Sequence, residues 1–300
     1  MVPRKLLRYD ANWAMPKALN NLVSALSGTG PSLAFGEVRS TFAPENIAAV
    51  IATSGSTNNP KDVALTSSAL ISSARLTNQF VGAKAGDKWS LLVSPNHVAG
   101  VNVLVRSIEL GTEPITTAEL KADFSAIVLT QLFRALNEDE QLLNHLKNTK
   151  AVLIGGSAIP EELLAKGRAA GINLITTYGM TETCGGCVYN GQTLPGVEIK
   201  INETIEIKSP TLASNYLNAE EKWASKFKNG YFITDDQGQF QDGKLIITGR
   251  IDDVIISGGK NISLSEIESH LNKEFPILQS AAFGLPDPEW GQSLNLALVG

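Results

Sequence analysis

The first 190 residues alternate short apolar runs with amphipathic segments. The runs NIAAVIATS (46–54) and KAVLIGG (150–156) predict buried strands, and KWSLLVS, SAIVLT and INLITTYG predict three more. The segments between them predict helices over 67–80, 98–110, 131–147 and 160–170. Continuous apolar strands separated by helices are typical of an α/β layer structure with a largely parallel sheet.

After residue 191 the hydrophobic pattern changes. The runs VEIKI, TIEIKS, GYFITDD, KLIITGR and DDVIISGG are short and alternating, and Gly, Asn and Asp turns separate them. This pattern predicts antiparallel β structure. Ser263-Leu264-Ser265-Glu266 is a capping box that predicts a helix to about residue 273, and two apolar runs, QSAAFGL and LNLALVG, follow it.

Composition narrows the class of protein. The chain has 300 residues, 43% hydrophobic and 18% charged, which is enough for one large globular domain and a small one. A net charge of −5 argues against a general nucleic-acid surface, which is basic. No apolar run approaches the ~20 residues of a membrane span, and the N-terminus lacks the apolar core of a signal peptide. We therefore expect a cytoplasmic protein; its oligomeric state stays open, a homodimer included.

Two cysteines, Cys184 and Cys187, lie in TCGGCVY with C-x-x-C spacing. Zinc would need a second pair of ligands, and His97, His145 and His270 show no ligand spacing. A redox pair stays open, but the flanking residues are not thioredoxin-like. We expect two structural thiols in a glycine-rich turn.

The stretch IATSGSTNNPK (51–61) is a candidate phosphate site. Its small side chains leave backbone N–H groups and hydroxyls free to converge on an anion, and Lys61 adds a positive charge. The order of residues is not that of a Walker A loop. The alternative is an ordinary polar turn between a strand and a helix.

Two later stretches carry further candidate chemistry. In TTYGMTETCGG (176–186), Glu182 is a candidate Mg²⁺ ligand and Tyr178 a candidate for stacking on a flat base, against the alternative of a strand-to-loop transition with an exposed glutamate. In ITGRIDDVIISGGKNIS (247–263), Asp252 closely follows Arg250, and two glycines permit a tight backbone. The alternative there is a polar hairpin.

Together the three stretches resemble the adenylate-forming acyl- and aryl-CoA ligases. TSGSTNNPK resembles the family's phosphate loop T-S-G-[ST]-T-G-x-P-K, with Asn58 in place of a glycine, and asparagine tolerates positive φ better than most residues. TYGMTET resembles the Y-G-x-T-E motif, and GRIDDVIISGGKNI resembles the hinge motif. The resemblance runs from about residue 45 to the end.

A narrower similarity lies in SPNHVAGVNVLVRS (94–107), which is similar to a stretch of the o-succinylbenzoate–CoA ligases of menaquinone biosynthesis. In those ligases a histidine lies beside the acyl site, and an arginine nine residues on meets the aromatic carboxylate of the substrate. The matching residues here are His97 and Arg106, and we expect helical spacing to put them roughly on one face. The alternatives are a capped helix-start histidine and a solvated arginine.

The resemblance implies a fold, a reaction and a set of roles. The fold is a large N-terminal α/β domain (1–250) with a β-rich region, and a small, mobile α+β domain (251–300). The reaction converts a carboxylate and ATP into an acyl-adenylate and pyrophosphate, after which CoA forms the thioester; Mg²⁺ is the metal. The implied catalytic residues are His97, Thr181, Glu182 and Lys61.

The implied binding residues follow the same motifs. The β- and γ-phosphates are assigned to Thr53, Ser54, Gly55, Ser56, Thr57 and Lys61. The adenine or acyl pocket is assigned to Gly155, Gly156, Ser157, Thr177, Tyr178 and Gly179, with the acyl group also meeting His97 and Arg106. The α-phosphate is assigned to Thr181, the Mg²⁺ to Glu182, the ribose to Asp235 and Arg250, the hinge to Asp252, and the CoA channel to Gly258 and Gly259.

One departure bears on activity. The family carries an adenylation lysine beyond the point where this sequence stops, and the last lysine here, Lys273, does not match it. We therefore expect slow adenylation with nucleotide binding retained. Two other functions stay open: a CoA ligase for another aryl or acyl carboxylate, and a nucleotide-binding protein without turnover.

Overall fold

The computed structural model describes residues 3–53, 60–275 and 279–299. The backbone forms two compact units, Met1–Glu198 with Lys208–Gly230, and Ile199–Ile207 with Tyr231–Gly300. Within the described part of the chain, no helix has the length and apolar character required to cross a membrane.

Strands and helices are interspersed through the first 193 residues. Up to residue 110 they are β1 (Arg4–Arg8), α1 (Met15–Leu26), β2 (Ser32–Phe35), β3 (Phe42–Ala43), β4 (Ile47–Thr53), β5 (Lys61–Thr66), α2 (Ser67–Phe80), β6 (Trp89–Ser90) and α3 (Val98–Leu110). Next come β7 (Phe124–Val128), α4 (Leu129–Asn137), α5 (Glu140–Lys147), β8 (Ala151–Gly155), α6 (Glu161–Ala169), β9 (Leu174–Met180), a 3-10 turn (Thr181–Thr183), β10 (Gly185–Tyr189) and β11 (Gln192–Thr193).

The remaining elements are mostly short strands. They are β12 (Glu198–Ile201), β13 (Ile205–Lys208), β14 (Asn215–Tyr216), α7 (Glu220–Ser225), β15 (Phe227–Lys228), β16 (Tyr231–Ile233), β17 (Asp236–Gln241), β18 (Lys244–Arg250), a 3-10 turn (Ile251–Asp253), β19 (Val254–Ser257), β20 (Lys260–Ser263), α8 (Leu264–Glu274), β21 (Gln279–Asp287) and β22 (Gly291–Val299).

Two mixed sheets form the core of the first unit. One has the strand order β14-β5-β4-β2-β1-β3 and the other β11-β10-β9-β8-β7-β6. The parallel strands are β1–β2–β4, at the centre of the first sheet, and β6–β7–β8–β9, which run to one edge of the second. Antiparallel strands complete both sheets. The predicted α/β class is confirmed, as two mixed sheets that each contain a run of parallel strands.

Local sequence accounts for the helices that flank these strands. Thr66 caps α2, since its hydroxyl accepts a hydrogen bond from the Ala69 N–H at 3.1 Å. Gly111 ends α3 in a left-handed conformation with φ 71°. The predicted boundaries of both helices are confirmed.

Two predicted elements are wrong. The single helix expected over 131–147 is two helices, α4 and α5, because Asp139 starts a new one: its carboxylate accepts from the Leu142 N–H at 2.8 Å. The strand expected over 88–94 contributes only Trp89–Ser90 to the sheet.

The second unit is built from antiparallel pairs, as the alternating pattern predicted. Strands pair as β13–β16, β17–β18, β19–β20 and β21–β22. The helix α8 covers nearly the predicted segment. The expected division into domains 1–250 and 251–300, with Asp252 as the hinge about which the second domain moves, stays a prediction.

Candidate active site

The candidate phosphate loop joins two antiparallel strands. Thr53 at the end of β4 is the direct partner of Lys61 at the start of β5, and β5 separates the loop from α2. The loop is therefore not a strand-to-helix turn, and its phosphate role stays a prediction. The predicted phosphate ligands Ser54, Gly55, Ser56 and Thr57 lie outside the described residues.

The exit of this loop is held by side chains far along the chain. Asn218 donates from Nδ2 to the Pro60 carbonyl at 2.9 Å and accepts at Oδ1 from the Asp62 N–H at 2.9 Å. The fully buried Asp62 carboxylate accepts from the Ser40 N–H at 2.8 Å and the Ser40 hydroxyl at 2.7 Å. Lys61 therefore starts from a backbone fixed on both sides.

Glu182 sits in the 3-10 turn that follows β9. It is buried, with 8% exposure, so the alternative of an exposed glutamate is wrong. Its Oε1 accepts a hydrogen bond from the Tyr216 hydroxyl at 2.7 Å. Tyr216 also faces Lys61, whose Nζ lies 5.0 Å from the centre of the tyrosine ring. The structure thus brings the predicted metal ligand and the predicted phosphate lysine to the same tyrosine.

The chemistry at Glu182 fits magnesium. Among the described residues, no cluster of three or more His, Cys, Asp and Glu side chains is arranged to hold a metal ion. Mg²⁺ is usually bound by one or two carboxylates together with substrate phosphates and water. The Glu182 carboxylate, which accepts a hydrogen bond from the Tyr216 hydroxyl, is a ligand of this kind.

The predicted adenine and acyl residues gather at the carboxyl ends of β8 and β9, where open α/β sheets bind ligands. A Cβ added at Gly155 would collide with the Thr177 hydroxyl, and one added at Gly179 would collide with the Gly185 carbonyl oxygen. Gly156 has φ 93°, a left-handed conformation. At Gly155 and Gly179, only glycine permits the neighbouring strands to approach this closely, and both contacts lie next to Tyr178 in the structure.

Arg106, in α3, is buried with 4% exposure, so the alternative of a solvated arginine is wrong. Its guanidinium carbon lies 4.9 Å from the centre of the Trp89 ring. Desolvation lowers the pKa of Arg106, and the groups that oppose this shift are Tyr189 and Cys184. Its Nε has no hydrogen-bond partner among the described residues. In the described part of the chain, the fold therefore buries this cation without a carboxylate beside it.

His97 does not share a face with Arg106, which corrects the prediction. His97 is the N-cap of α3, is exposed and makes no side-chain capping bond. Nine residues at about 100° each amount to two and a half helical turns, which places the two on opposite sides and about 13 Å apart along the axis. The acyl-site role of His97 stays a prediction.

The predicted ribose, hinge and CoA residues lie in the second unit. Arg250 Nη1 donates to Asp236 Oδ1 at 2.8 Å, and the Asp235 carbonyl accepts from the Ile251 N–H at 2.8 Å. Asp252 lies in the 3-10 turn, and its side chain is outside the described set.

The two glycines of the hinge motif form the turn between β19 and β20. Gly258 and Gly259 have φ 56° and 76°, a pair of values typical of a two-residue hairpin turn. A Cβ on Gly258 would lie 2.6 Å from the Trp290 ring. Packing alone therefore requires glycine at Gly258, and the CoA role of both residues stays a prediction.

The two cysteines are structural thiols, as expected. Both are buried and unpaired, and burial raises the pKa of each to about 12. Cys184 has φ 55°, and its carbonyl accepts from the Ser73 hydroxyl at 2.9 Å and from Asn102 Nδ2 at 2.8 Å. Cysteine in this conformation is uncommon, and the two hydrogen bonds hold it in place.

Sequence reasoning missed several residues of the site. The set consists of Tyr216, Asn218, Asp62, Trp89 and Asn102. None was assigned a role from the motifs, and their partners are distant: 158 positions separate Asn218 from Pro60. Only the burial of Arg106 could have been predicted from the sequence, because a helix that is apolar on nearly all sides, as α3 is, is expected to be buried.

Comparison with known proteins identifies the family. Residues 8–210 match the AMP-binding enzyme family. A probable 2-succinylbenzoate–CoA ligase of Mycobacterium tuberculosis (strain CDC 1551 / Oshkosh) is 35% identical over 279 residues, covering 85% of this chain and 71% of the relative.

Solved structures share the fold. Escherichia coli MenE with a bound analogue of OSB-AMS superposes with a TM-score of 0.71 at 26% identity, covering 97% of this chain and 71% of that one. The o-succinylbenzoate coenzyme A synthetase of Bacillus subtilis, in complex with ATP and magnesium, gives 0.73 at 23% identity, with 98% and 73% covered. The match over residues 8–210, more than half of the sequence, shows that this chain belongs to the AMP-binding enzyme family.

Proposed function

We propose that this chain is an ATP-dependent o-succinylbenzoate–CoA ligase of menaquinone biosynthesis, acting in the cytoplasm. The observation that carries the substrate class is Arg106, a buried guanidinium with an unsatisfied Nε and no carboxylate beside it among the described residues. A dicarboxylate has one carboxyl group to activate and a second to pair with a fixed cation. The mycobacterial relative carries the same activity in its name.

The first step forms an acyl-adenylate. A carboxylate oxygen of the substrate attacks the α-phosphorus of ATP, and pyrophosphate leaves with the electron pair of the broken P–O bond. Lys61 and Thr53, with the intervening loop, bind the β- and γ-phosphates, and Thr181 donates to the α-phosphate. When bound at Glu182, Mg²⁺ neutralises charge on the phosphate oxygens. These residues act by positioning and by electrostatics, because the attacking carboxylate is already ionised.

The pocket at the ends of β8 and β9 orients the acyl-adenylate. Tyr178 stacks on adenine, and Gly155, Gly156 and Thr177 border the acyl group. Gly155 lies too close to Thr177 to carry a side chain. Asp235 and Arg250 bind the ribose hydroxyls. His97 is assigned to the acyl site from its match to the ligase motif alone.

The second step forms the thioester. The CoA thiol gives up its proton to solvent as its sulfur attacks the acyl carbonyl carbon, and AMP leaves with the electron pair of the broken C–O bond. Asp252 is the hinge between the two steps, and Gly258 with Gly259 lines the CoA channel.

The test uses the wild-type chain with ATP, Mg²⁺ and o-succinylbenzoate, without CoA. Pyrophosphate release is followed, and the acyl-adenylate is detected by mass spectrometry. Supplying chemically made acyl-adenylate with CoA measures the second step by itself. Failure of both steps with this acid would overturn the proposal.

A CoA ligase for another carboxylate is the second candidate, and Arg106 separates the two. Loss of one partner of a buried charge pair costs about 2–5 kcal/mol, so Arg106→Ala should lower kcat/KM for o-succinylbenzoate about 30-fold or more. The effect on an aromatic monocarboxylate should be within about threefold. Arg75→Ala, which removes an exposed arginine paired with Glu109, is the matched control. Equal losses for both acids would favour the second candidate.

A further inference from the structure

We propose that Tyr216 is a positioning residue that orients the Glu182 carboxylate toward the metal and aligns Lys61 with the same triphosphate. This inference rests on the proposed function, because it assigns Tyr216 a part in binding magnesium–ATP. Tyr216 itself touches no reacting atom. It acts through the two charged residues that flank it.

The fold fixes Tyr216 before any ligand arrives. Its strand β14 pairs with β5, which places Tyr216 opposite Val63, two residues from Lys61. The side chain is buried, with 1% exposure, and the Trp223 ring packs edge-on against it at 4.9 Å. A tyrosine held on two sides presents its hydroxyl in one direction only.

The hydroxyl and the ring face serve opposite charges. The hydroxyl donates to Glu182 Oε1 at 2.7 Å, while Lys61 Nζ lies 5.0 Å from the ring centre. A phenol hydroxyl orients a carboxylate without neutralising it, whereas an arginine or lysine in that place would cancel the charge that a cation needs. The ring face attracts an ammonium group without competing for its place on a phosphate in the way a carboxylate would.

The same short segment also holds the phosphate loop. Two residues after Tyr216, Asn218 bonds the Pro60 carbonyl and the Asp62 N–H. The segment 215–218 therefore contacts the loop exit, the loop lysine and the metal carboxylate together. These contacts link Tyr216, which lies outside the three sequence motifs, to nucleotide binding.

The test is Tyr216→Phe, which removes only the hydroxyl. Tyr189→Phe is the matched control, because the Tyr189 hydroxyl is also buried and hydrogen-bonded, to Thr77 at 2.8 Å, but does not contact Glu182. Calorimetry of ATP binding at a series of Mg²⁺ concentrations gives the half-saturating Mg²⁺ concentration for each variant. Loss of a group that orients a metal ligand weakens metal binding about 10- to 100-fold.

We expect Tyr216→Phe to raise the half-saturating Mg²⁺ concentration at least about tenfold, with Tyr189→Phe within about twofold of wild type. Tyr216→Leu, which also removes the ring, should weaken ATP binding further even at saturating Mg²⁺. A purely structural role for the hydroxyl would lower the melting temperature without moving the Mg²⁺ dependence, and that result would overturn the proposal.

A double-mutant cycle separates failure of this inference from failure of the proposed function. Tyr216→Phe and Glu182→Leu, alone and together, are compared by thermal unfolding without ligands. Non-additive melting shifts support the hydroxyl–carboxylate contact independently of any activity. Additive shifts overturn the contact, whereas a wild-type chain that binds no magnesium–ATP overturns the function and with it the role of Tyr216.

Discussion

Arg106 and Glu182 are both buried charges in the same unit, and the fold treats them differently. Glu182 accepts a hydrogen bond from Tyr216 at 2.7 Å. The Arg106 guanidinium stacks on the face of the Trp89 ring, and its Nε has no hydrogen-bond partner among the described residues. Desolvation lowers the pKa of Arg106. One charge is already oriented, and the other lacks a counterpart within the described ranges.

The difference assigns the two ends of the site different tasks. A buried charge without a partner lowers the free energy of unfolding. The stability lost at a charged Arg106 is therefore recovered only when an anion binds beside it. At the Glu182 end, the hydroxyl fixes geometry ahead of binding, which reduces the ordering needed when magnesium–ATP arrives. Under the proposed function, the acyl end therefore selects by charge, while the phosphate end is preorganised.

The largest expected effect is ligand stabilisation that depends on Arg106. At a concentration of o-succinylbenzoate about 100 times its Kd, the free energy of unfolding should rise by about 2.7 kcal/mol. Arg106→Met should show little or no rise at the same concentration, because the carboxylate loses its cation. Thermal unfolding with and without the acid measures both. An equal rise in the variant would contradict a charge-selecting acyl end.

The second effect is on the unliganded protein. Arg106→Met replaces a buried cation that lacks a carboxylate partner with an apolar side chain, so the free energy of unfolding should increase by about 1–3 kcal/mol although activity is lost. Urea unfolding of the variant and of wild type compares them, with Arg75→Met as a surface control. A less stable Arg106→Met would mean that Arg106 has a counterion in the free protein.

Replacing Glu182 by an apolar residue should change the free energy of unfolding in the opposite direction. Glu182→Leu leaves the buried Tyr216 hydroxyl without its acceptor and should lower the free energy of unfolding by about 1–2 kcal/mol. Glu182→Gln keeps an acceptor and should cost less than about 1 kcal/mol, while still weakening magnesium binding. Urea unfolding of the two variants tests this order. If leucine were the better replacement, the contact with Tyr216 would not stabilise the fold.

The sequence anticipated much of the fold because its local determinants are strong. The helix over 98–110 was predictable from an apolar segment ending at Gly111, and the one over 67–80 from a threonine cap. The break at Asp139 was not, since an aspartate mid-segment fits both a helix surface and a new cap.

The site was predictable only where its residues lie within motifs. Gly155, Gly156, Thr177, Tyr178 and Gly179 were expected to share a pocket, and the structure groups them at adjacent strand ends. The partner of Glu182 was hidden because 34 positions and several strands separate it from Tyr216. Tertiary contacts of this length leave no periodic trace in a single sequence.

The smallest expected effect concerns the thiol nearest to Arg106. Cys184 could supply the missing counterion as a thiolate, but burial raises its pKa to about 12, and this outweighs the lowering by Arg106. Its thiolate fraction at a pH of about 8 is then on the order of 10⁻⁴. We expect iodoacetamide at that pH to leave Cys184 and the buried Cys187 unmodified in the folded chain, and to modify both after unfolding in urea, as read by mass spectrometry. Rapid labelling of Cys184 in the folded chain would reveal a thiolate beside Arg106. Arg106 would then already be neutralised by an ion pair within the protein, and a substrate carboxylate would not be needed as its counterion.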